Sequence, residues 1–233
     1  MYITISLIMA IAPSIALVIY FYKQDKKKPE PIGLVTRIFF LGIGFIIPAC
    51  FAEYFFDIIF KQLNGILILY HFLKAFIVAA FIEELIKLII VKQFVYKNPH
   101  FDEVMDGIVY TIVASLGFAC MENLIYVIDG GLEIALVRAF TAVPMHAVAS
   151  GIMGYYIGKA KFSENKQQEK SLIYKGLWFA ILIHGFYNFL LFASPETSFI
   201  IALGVFPLII LTFLKLKEKM TLAIAEDSHA GRH

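Results

Sequence analysis

The chain is a succession of apolar segments whose length matches the thickness of a membrane. Each of seven segments has at least 18 mostly apolar residues, and only 16% of the whole sequence is charged. At 1.5 Å per residue, such a segment can cross about 30 Å of hydrocarbon as a helix. The sequence therefore predicts an all-α, polytopic transmembrane helix bundle of about seven spans that forms a single domain over residues 1–233. We place the spans at residues 2–22, 33–56, 66–91, 107–128, 134–158, 172–193 and 197–214.

The lysines predict how these spans are oriented. Alternate loops carry nearly all of them, and the other side of the bundle has only Lys61. Positively charged loops stay in the cytoplasm, so we expect the N-terminus outside and the C-terminus in the cytoplasm. The first segment has its lysines after its apolar run, which is typical of a retained anchor. The cytoplasmic set comprises Lys23, Lys26, Lys27, Lys28, Lys92, Lys97, Lys159, Lys161, Lys166, Lys170, Lys215, Lys217 and Lys219.

The charge pattern also limits the partners. The net charge is only +2, and the lysines cluster at segment ends instead of forming a basic surface. This pattern is typical of membrane topology and argues against nucleic-acid binding. The polar stretches at 159–171 and after Lys215 are too short for a separate soluble core. We therefore expect the partners to be membrane lipid and other membrane proteins.

Two adjacent carboxylates interrupt the third apolar segment. Glu83 and Glu84 are followed one helical turn later by Lys87. An ionisable side chain at the bilayer centre costs at least ~2.5 kcal/mol, so it faces the bundle interior and is a functional-site candidate. The spacings i+4 and i+3 place the lysine on the same helix face as both glutamates. The motif predicts a charged stripe that faces other helices.

Three further segments carry polar groups at membrane depth. Glu122 lies in the fourth segment and His146 in the fifth, two residues after Pro144. The proline predicts a helix kink that would open this face. His184 and Asn188 are one turn apart in the sixth segment and share a face. Four helices therefore each offer at least one carboxylate or imidazole.

These residue types predict hydrolytic chemistry. A carboxylate activates water, carboxylates and imidazoles hold Zn²⁺, and an amide or a cation stabilises an oxyanion. We expect Glu84 or Glu83 to activate the water, with Lys87 and Asn188 supporting the transition state. His146, His184 and Glu122 are the predicted metal or water-orienting groups. A Zn²⁺ site is favoured, although a metal-free glutamate/histidine site uses the same residues.

Structural interpretations of these groups stay open beside the catalytic one. Glu83, Glu84 and Lys87 could form only an ion-pair cluster, and Glu122 could pair with Arg138. Several other polar residues are expected to have no role in catalysis. Arg37 and Arg138 are expected to be snorkelling anchors, His71 and Lys74 a structural stripe, and Glu53 and Asp57 solvated.

The set resembles one protease family. Glu83-Glu84-x-x-Lys87, Phe118-x-x-x-Glu122, His146 and His184-x-x-x-Asn188 are similar to motifs of the PrsW-type intramembrane proteases, distant relatives of the CAAX prenyl endopeptidases. The likeness covers about residues 20–215 and includes the stretch 102–107 before the fourth span. Family members often have an aspartate four residues after the first histidine, where this chain has Ser150. A ligand role at that position is therefore in doubt.

The resemblance implies a bacterial plasma-membrane endopeptidase. It would make the first, site-1, cut in a single-span anti-sigma factor and so activate a stress-response sigma factor. The family cuts on the outer side of its substrate, whereas our topology places Glu84 in the cytoplasmic half of its span. Either the cavity is deep or the third span is shifted.

A transporter or channel is the main alternative. Its proton relays also use buried Glu and His groups, but they are distributed across both leaflets. Counted from the predicted cytoplasmic ends, Glu84 and His184 lie ~12–13 Å deep, His146 ~19 Å and Glu122 ~24 Å. This spread keeps the transporter open as an alternative, and a non-catalytic scaffold for a partner helix is a third possibility. One shared cavity for the four side chains would favour the protease.

Overall fold

The computed structural model describes residues 2–26, 28–63, 65–194 and 202–232, and every regular element in these ranges is helical. The all-α prediction is therefore confirmed. The α-helices are α1 (Tyr2–Tyr22), α2 (Ile32–Gly44), α3 (Ile46–Phe60), α4 (Leu67–Leu73), α5 (Ile82–Phe94), α6 (Val104–Phe140), α7 (Ala142–Lys161), α8 (Lys166–Ala193) and α9 (Val205–His229). A 3₁₀ turn covers Lys61–Leu63, and a π-helix covers Lys74–Phe81.

Five helical stretches of the described chain are long and apolar enough to cross a membrane. They are Ile5–Tyr22, Ile32–Leu63, Val104–Ile128, Gly130–Lys161 and Lys166–Ala193. The predicted span 66–91 is divided among α4, the π-helix and α5, and it carries three charged residues within one helical turn. Part of the predicted span 197–214 lies outside the described residues, and the described part forms the start of α9.

The boundary between the fourth and fifth spans differs from the prediction. The chain breaks at Gly131, whose φ of 66° requires a residue without Cβ, and again at Thr141. The predicted span 134–158 is therefore two helical pieces. Pro144 lies in the first turn of α7, where its missing N–H would have no helical partner in any case. The expected proline kink is wrong, because the break lies three residues earlier.

The centre of the bundle is the α6–α7 pair. In an 18-residue apolar window within Val104–Ile128, 94% of the residues are buried. Glycines allow these backbones to approach closely: a Cβ atom on Gly154 would overlap the carbonyl oxygen of Gly107, and one on Gly158 would overlap that of Val104. Small residues at such crossings are typical of membrane helix packing. This contact fixes α7 against α6 and so sets the position of His146 relative to Glu122.

We expect Gly154→Ala to destabilise the bundle by at least about 1–3 kcal/mol, because the added methyl group meets backbone that cannot turn aside. The matched control is Gly33→Ala, since a Cβ atom there has no neighbour within 4 Å. Thermal unfolding of both purified variants checks this expectation. Equal melting temperatures would contradict the close α6–α7 approach.

Candidate metal centre

The paired glutamates begin α5, directly after the π-helix. Glu83, Glu84 and Lys87 are 4%, 0% and 0% exposed. Lys87 Nζ donates to Glu84 Oε1 at 2.7 Å and lies 3.3 Å from Glu83 Oε2. The structure places the three side chains on one inward face, as their spacing predicts. A π-turn is frequent beside functional sites, and here it precedes the glutamates by one residue.

His184 reaches this pair from α8. Its Nδ1 lies 2.9 Å from Glu84 Oε1, and its Nε2 lies 3.9 Å from Glu83 Oε1. The side chain is 1% exposed. A buried imidazole beside a carboxylate donates its N–H to it, which leaves the other ring nitrogen as a lone-pair donor. That free nitrogen faces Glu83.

His146 reaches the same point from α7. Its Nε2 lies 2.8 Å from Glu122 Oε2, and its Nδ1 lies 3.8 Å from Glu83 Oε2 and 3.0 Å from Lys87 Nζ. The ring centroids of His146 and His184 are 4.9 Å apart. Each histidine therefore binds one carboxylate with one nitrogen and turns the other nitrogen toward Glu83.

This arrangement fits a metal ion. One donor atom each from Glu83, His146 and His184 lies within 4.8 Å of the other two. Two imidazoles and a carboxylate form a zinc-type donor set, and metal-bound histidines commonly donate their second N–H to a carboxylate. Within the described part of the chain, the three carboxylates Glu83, Glu84 and Glu122 form ion pairs with two cations, Lys87 and Arg138. With neutral histidines, the cluster has an excess negative charge that a divalent cation would balance.

Glu84 differs from Glu83 in its surroundings. Besides Lys87 and His184, it accepts a hydrogen bond from Ser150 Oγ at 2.8 Å. Ser150 also lies 2.9 Å from Ser115 Oγ, which contacts the carbonyl oxygen of His146 at 2.9 Å. Both oxygens of Glu84 are thus engaged away from solvent. Ser150, which is fully buried, therefore contacts this carboxylate directly.

Glu122 binds both His146 and Arg138. Arg138 Nη2 lies 2.9 Å from Glu122 Oε2, and its Nε donates to Asn123 Oδ1 at 2.7 Å. The interpretation of Arg138 as a snorkelling anchor is wrong. The breaks at Gly131 and Thr141 bring this residue back to the level of Glu122. Its ion pair with Glu122, a structural alternative in the sequence, coexists with the histidine contact.

Side-chain direction accounts for part of the predicted spread in depth. Helical side chains lean toward the N-terminus of their helix. α5 begins at the deep end and α6 at the loop end, so Glu84 leans deeper while Glu122 leans toward the loops. This lean brings these two carboxylates closer in depth. It does not account for His146 and His184, whose side chains meet the glutamates through the packing of α7 and α8.

Two cavities reach the cluster. One, of about 210 Å³, is lined by Glu83, Glu122, Arg138 and Asn188 and extends to Lys74 and Phe192. The other, of about 190 Å³, is lined by Glu83, Glu122 and Phe118. Glu53 borders both. From the sequence we expected Glu53 to be solvated and Lys74 to be structural only. Both residues instead line a cavity that reaches the site. The sequence offered one signal, since Glu53 interrupts the apolar run of the second predicted span.

A family model matches residues 30–213, and its description is a PrsW family intramembrane metalloprotease. The chain belongs to this family. It is 43% identical to Protease PrsW of Bacillus subtilis over 183 residues, which is 78% of this chain and 81% of the relative. Protease PrsW of Geobacillus kaustophilus is 38% identical and that of Clostridioides difficile 28%, with 82–85% of each chain covered. No solved structure gives a significant match.

Family membership confirms several predictions. The chain is an intramembrane metalloprotease and a multi-pass membrane protein, and its relatives are bacterial. The PrsW resemblance drawn from the motifs is confirmed over nearly the predicted length. The roles of individual side chains and the identity of the ion stay predictions. The described geometry gives them physical support.

Proposed function

We propose that this PrsW-family protein is the site-1 endopeptidase of a membrane-anchored anti-sigma factor. The observation that carries the proposal is the convergence of Glu83, His146 and His184 on one buried point beside a cavity between helices. Such a site can reach only a peptide bond at or within the membrane. Cleavage of an anti-sigma factor there would begin the release of a stress-response sigma factor.

The side chains would divide the work as follows. Glu83, His146 and His184 would hold Zn²⁺, which would supply Lewis acidity to the scissile carbonyl. Glu84 would orient His184, and Glu122 would orient His146, through the contacts at 2.9 and 2.8 Å. Glu83 is the carboxylate that meets the reacting atoms, because it borders both cavities whereas Glu84 is fully enclosed.

Two further groups would act on the substrate. Asn188 borders the larger cavity, where its amide can bind the peptide backbone. Lys87 has its Nζ beside both glutamates and His146, so its charge lies next to the developing oxyanion. These are the roles that the sequence predicts for both residues.

The direction of the larger cavity supports cleavage near the outer face. With the N-terminus outside, the lysine-rich loops lie in the cytoplasm, and Lys74 and Phe192 lie toward the opposite face. The cavity extends from Glu83 to these two residues. If the cavity opens outward, Glu84 can lie in the cytoplasmic half of its span while the substrate is cut on its outer side.

The substrate is expected to be cut in a juxtamembrane or helix-breaking segment. A continuous transmembrane helix holds its carbonyls in hydrogen bonds, and hydrolysis needs an extended backbone. A transport pathway would instead need polar groups distributed through both leaflets. Their convergence favours the protease over the transporter and over a non-catalytic scaffold.

The test uses proteoliposomes with a single-span anti-sigma substrate. A flexible polar linker of ~20 residues, with a root-mean-square span of about 25 Å, is inserted between the span and the cut segment. We expect cleavage to be lost, because the segment then leaves the membrane site. The control carries the same linker on the cytoplasmic side of the span and should be cut normally. Equal cleavage of both substrates would contradict an intramembrane site.

A further inference from the structure

A second group of acidic side chains lies at the loop end of the bundle, far from the metal centre. Three chain segments contribute: the α1–α2 loop, the start of α6 and the C-terminal part of α9. The start of α6 is separated from Glu122 by 18 residues of helix, or about 27 Å. The cluster consists of Asp25, Glu30, Asp102, Glu103, Asp106 and Asp227.

Some of these carboxylates are fully used in local structure. Asp227 accepts the backbone N–H groups of Val104 and Met105 at 2.8 and 3.1 Å, which ties α9 to the first turn of α6. Asp106 Oδ2 accepts the N–H groups of Asp102 and Glu103 at 2.8 and 2.7 Å. These bonds explain why acids occupy a helix N-terminus. They account for only part of the cluster.

Two buried carboxylate oxygens of the cluster take no part in these hydrogen bonds. Asp25 Oδ2 and Asp106 Oδ1 have no hydrogen-bond partner within the described ranges, although Asp25 is 5% and Asp106 0% exposed. A buried charged oxygen without a partner is strongly unfavourable. The unmatched oxygens therefore indicate a ligand that donates or carries positive charge.

Among the described residues, two cations form ion pairs with the cluster. Lys28 pairs with the partly exposed Asp102 at 2.6 Å, and Arg232 lies 3.2 Å from Asp227. Lys26 borders the adjoining cavity. Glu30 receives a hydrogen bond from Tyr110, and its carboxylate lies next to that of Asp106.

The remaining acids lie close enough to shift one another's pKa. Burial, followed by the charges of Glu103 and Glu30, raises the pKa of Asp25 to about 7. Burial also raises the pKa of Glu30, against the effect of its hydrogen bond from Tyr110. Both shifts reflect negative charge that is poorly compensated inside the protein.

We propose that Asp25, Glu103 and Asp106 bind a hard divalent cation, Ca²⁺ or Mg²⁺. One oxygen from each lies within 4.8 Å of the others, and all three residues are buried. Carboxylate oxygens are the ligands these ions prefer. A cavity of about 170 Å³ lined by Asp25, Glu103 and Asp227 gives the ion access and room for water ligands. The bound ion joins the α1–α2 loop to the start of α6 and, through Asp227, to α9.

The test is a titration of the full-length, chelator-treated protein with Tb³⁺, a luminescent substitute for Ca²⁺. Tyr110 contacts Glu30 and can sensitise an ion in the cluster. Asp25→Asn removes a ligand charge at an oxygen without a hydrogen-bond partner. We expect this variant to bind Tb³⁺ at least about tenfold more weakly, since affinity follows ligand charge. The control is Asp102→Asn, because Asp102 is the partly exposed member of the cluster and lies outside the proposed ligand set. Displacement of Tb³⁺ by Ca²⁺ and by Mg²⁺, in separate arms, identifies the preferred ion.

A second measurement does not depend on any variant. The preferred ion, at a hundredfold excess over its Kd, should raise the melting temperature of the unmodified protein by roughly 5–10 °C. Absence of saturable Tb³⁺ luminescence would overturn the proposal, as would equal affinity in Asp25→Asn. An unchanged melting temperature would also overturn it, because shared protons alone would then satisfy the cluster.

Discussion

Glu83→Gln is expected to lower proteolysis by at least ~10²-fold while leaving the protein folded. The amide keeps the size of the side chain but cannot serve as an anionic ligand or accept a proton from water. Glu83 borders both cavities and faces the second ring nitrogens of His146 and His184, at 3.8 and 3.9 Å. Initial rates on a reconstituted single-span substrate measure the effect. The matched control, Glu133→Gln, changes an exposed carboxylate on α6 and should be fully active.

Glu84→Gln distinguishes the role of Glu84 from that of Glu83. Glu84 accepts from Lys87, His184 and Ser150, and one amide oxygen cannot replace all three contacts. We expect its activity to fall by a similar factor, together with a lower melting temperature that Glu83→Gln does not show. Near-normal cleavage by Glu83→Gln, beside an inactive Glu84→Gln, would reverse the assigned roles.

Lys87→Met is expected to destabilise the fold by about 3–5 kcal/mol. Lys87 is fully buried and joins Glu84, Glu83 and His146 at 2.7, 3.3 and 3.0 Å. Removing it leaves two buried carboxylates without their cation. The control is Lys92→Met on the same helix, whose ion pair with Glu169 is about one-third exposed, so the loss should be about 0–1 kcal/mol. Denaturant unfolding in detergent measures both changes.

A double substitution tests whether the lost ion pair causes the destabilisation by Lys87→Met. Lys87→Met combined with Glu84→Gln removes the cation together with its closest anion, so part of the lost stability should return. Such non-additivity is expected for groups in contact. If the two destabilising effects simply add, the lysine stabilises the fold through packing against Phe118, which lies 5.0 Å from Nζ, and the electrostatic account is wrong.

Hydropathy and helix periodicity predicted most of the fold. Apolar length located the five helical stretches of the described chain that can cross a membrane, although it also predicted spans at 66–91 and 197–214. The i+3 and i+4 spacing placed Lys87 against both glutamates. These features depend on neighbours along one helix. The intramembrane position of Glu122, His146 and His184 also predicted that these side chains meet, because polar groups in apolar segments need partners. The sequence did not show that Glu83, and not Glu122, lies with both histidines while Glu122 contacts His146 from the other side.

Features that depend on packing between helices could not be predicted. The π-helix before Glu83 and the break at Thr141 have no local residue signature. Arg138 reads as an anchor near a segment end, and only the fold-back after Gly131 brings it to Glu122. The position of Glu53 depends on the packing of α3 against the π-helix and α5. Tertiary contacts decide each of these.

The metal content of purified, active protein tests the central claim most directly. We predict one Zn²⁺ per chain by elemental analysis, with activity lost after chelation and restored by Zn²⁺. His184→Ala should lose the bound ion, and the exposed His100→Ala should keep it. Full proteolytic activity in protein with no bound metal would contradict the assignment of Glu83, His146 and His184 as the metal centre.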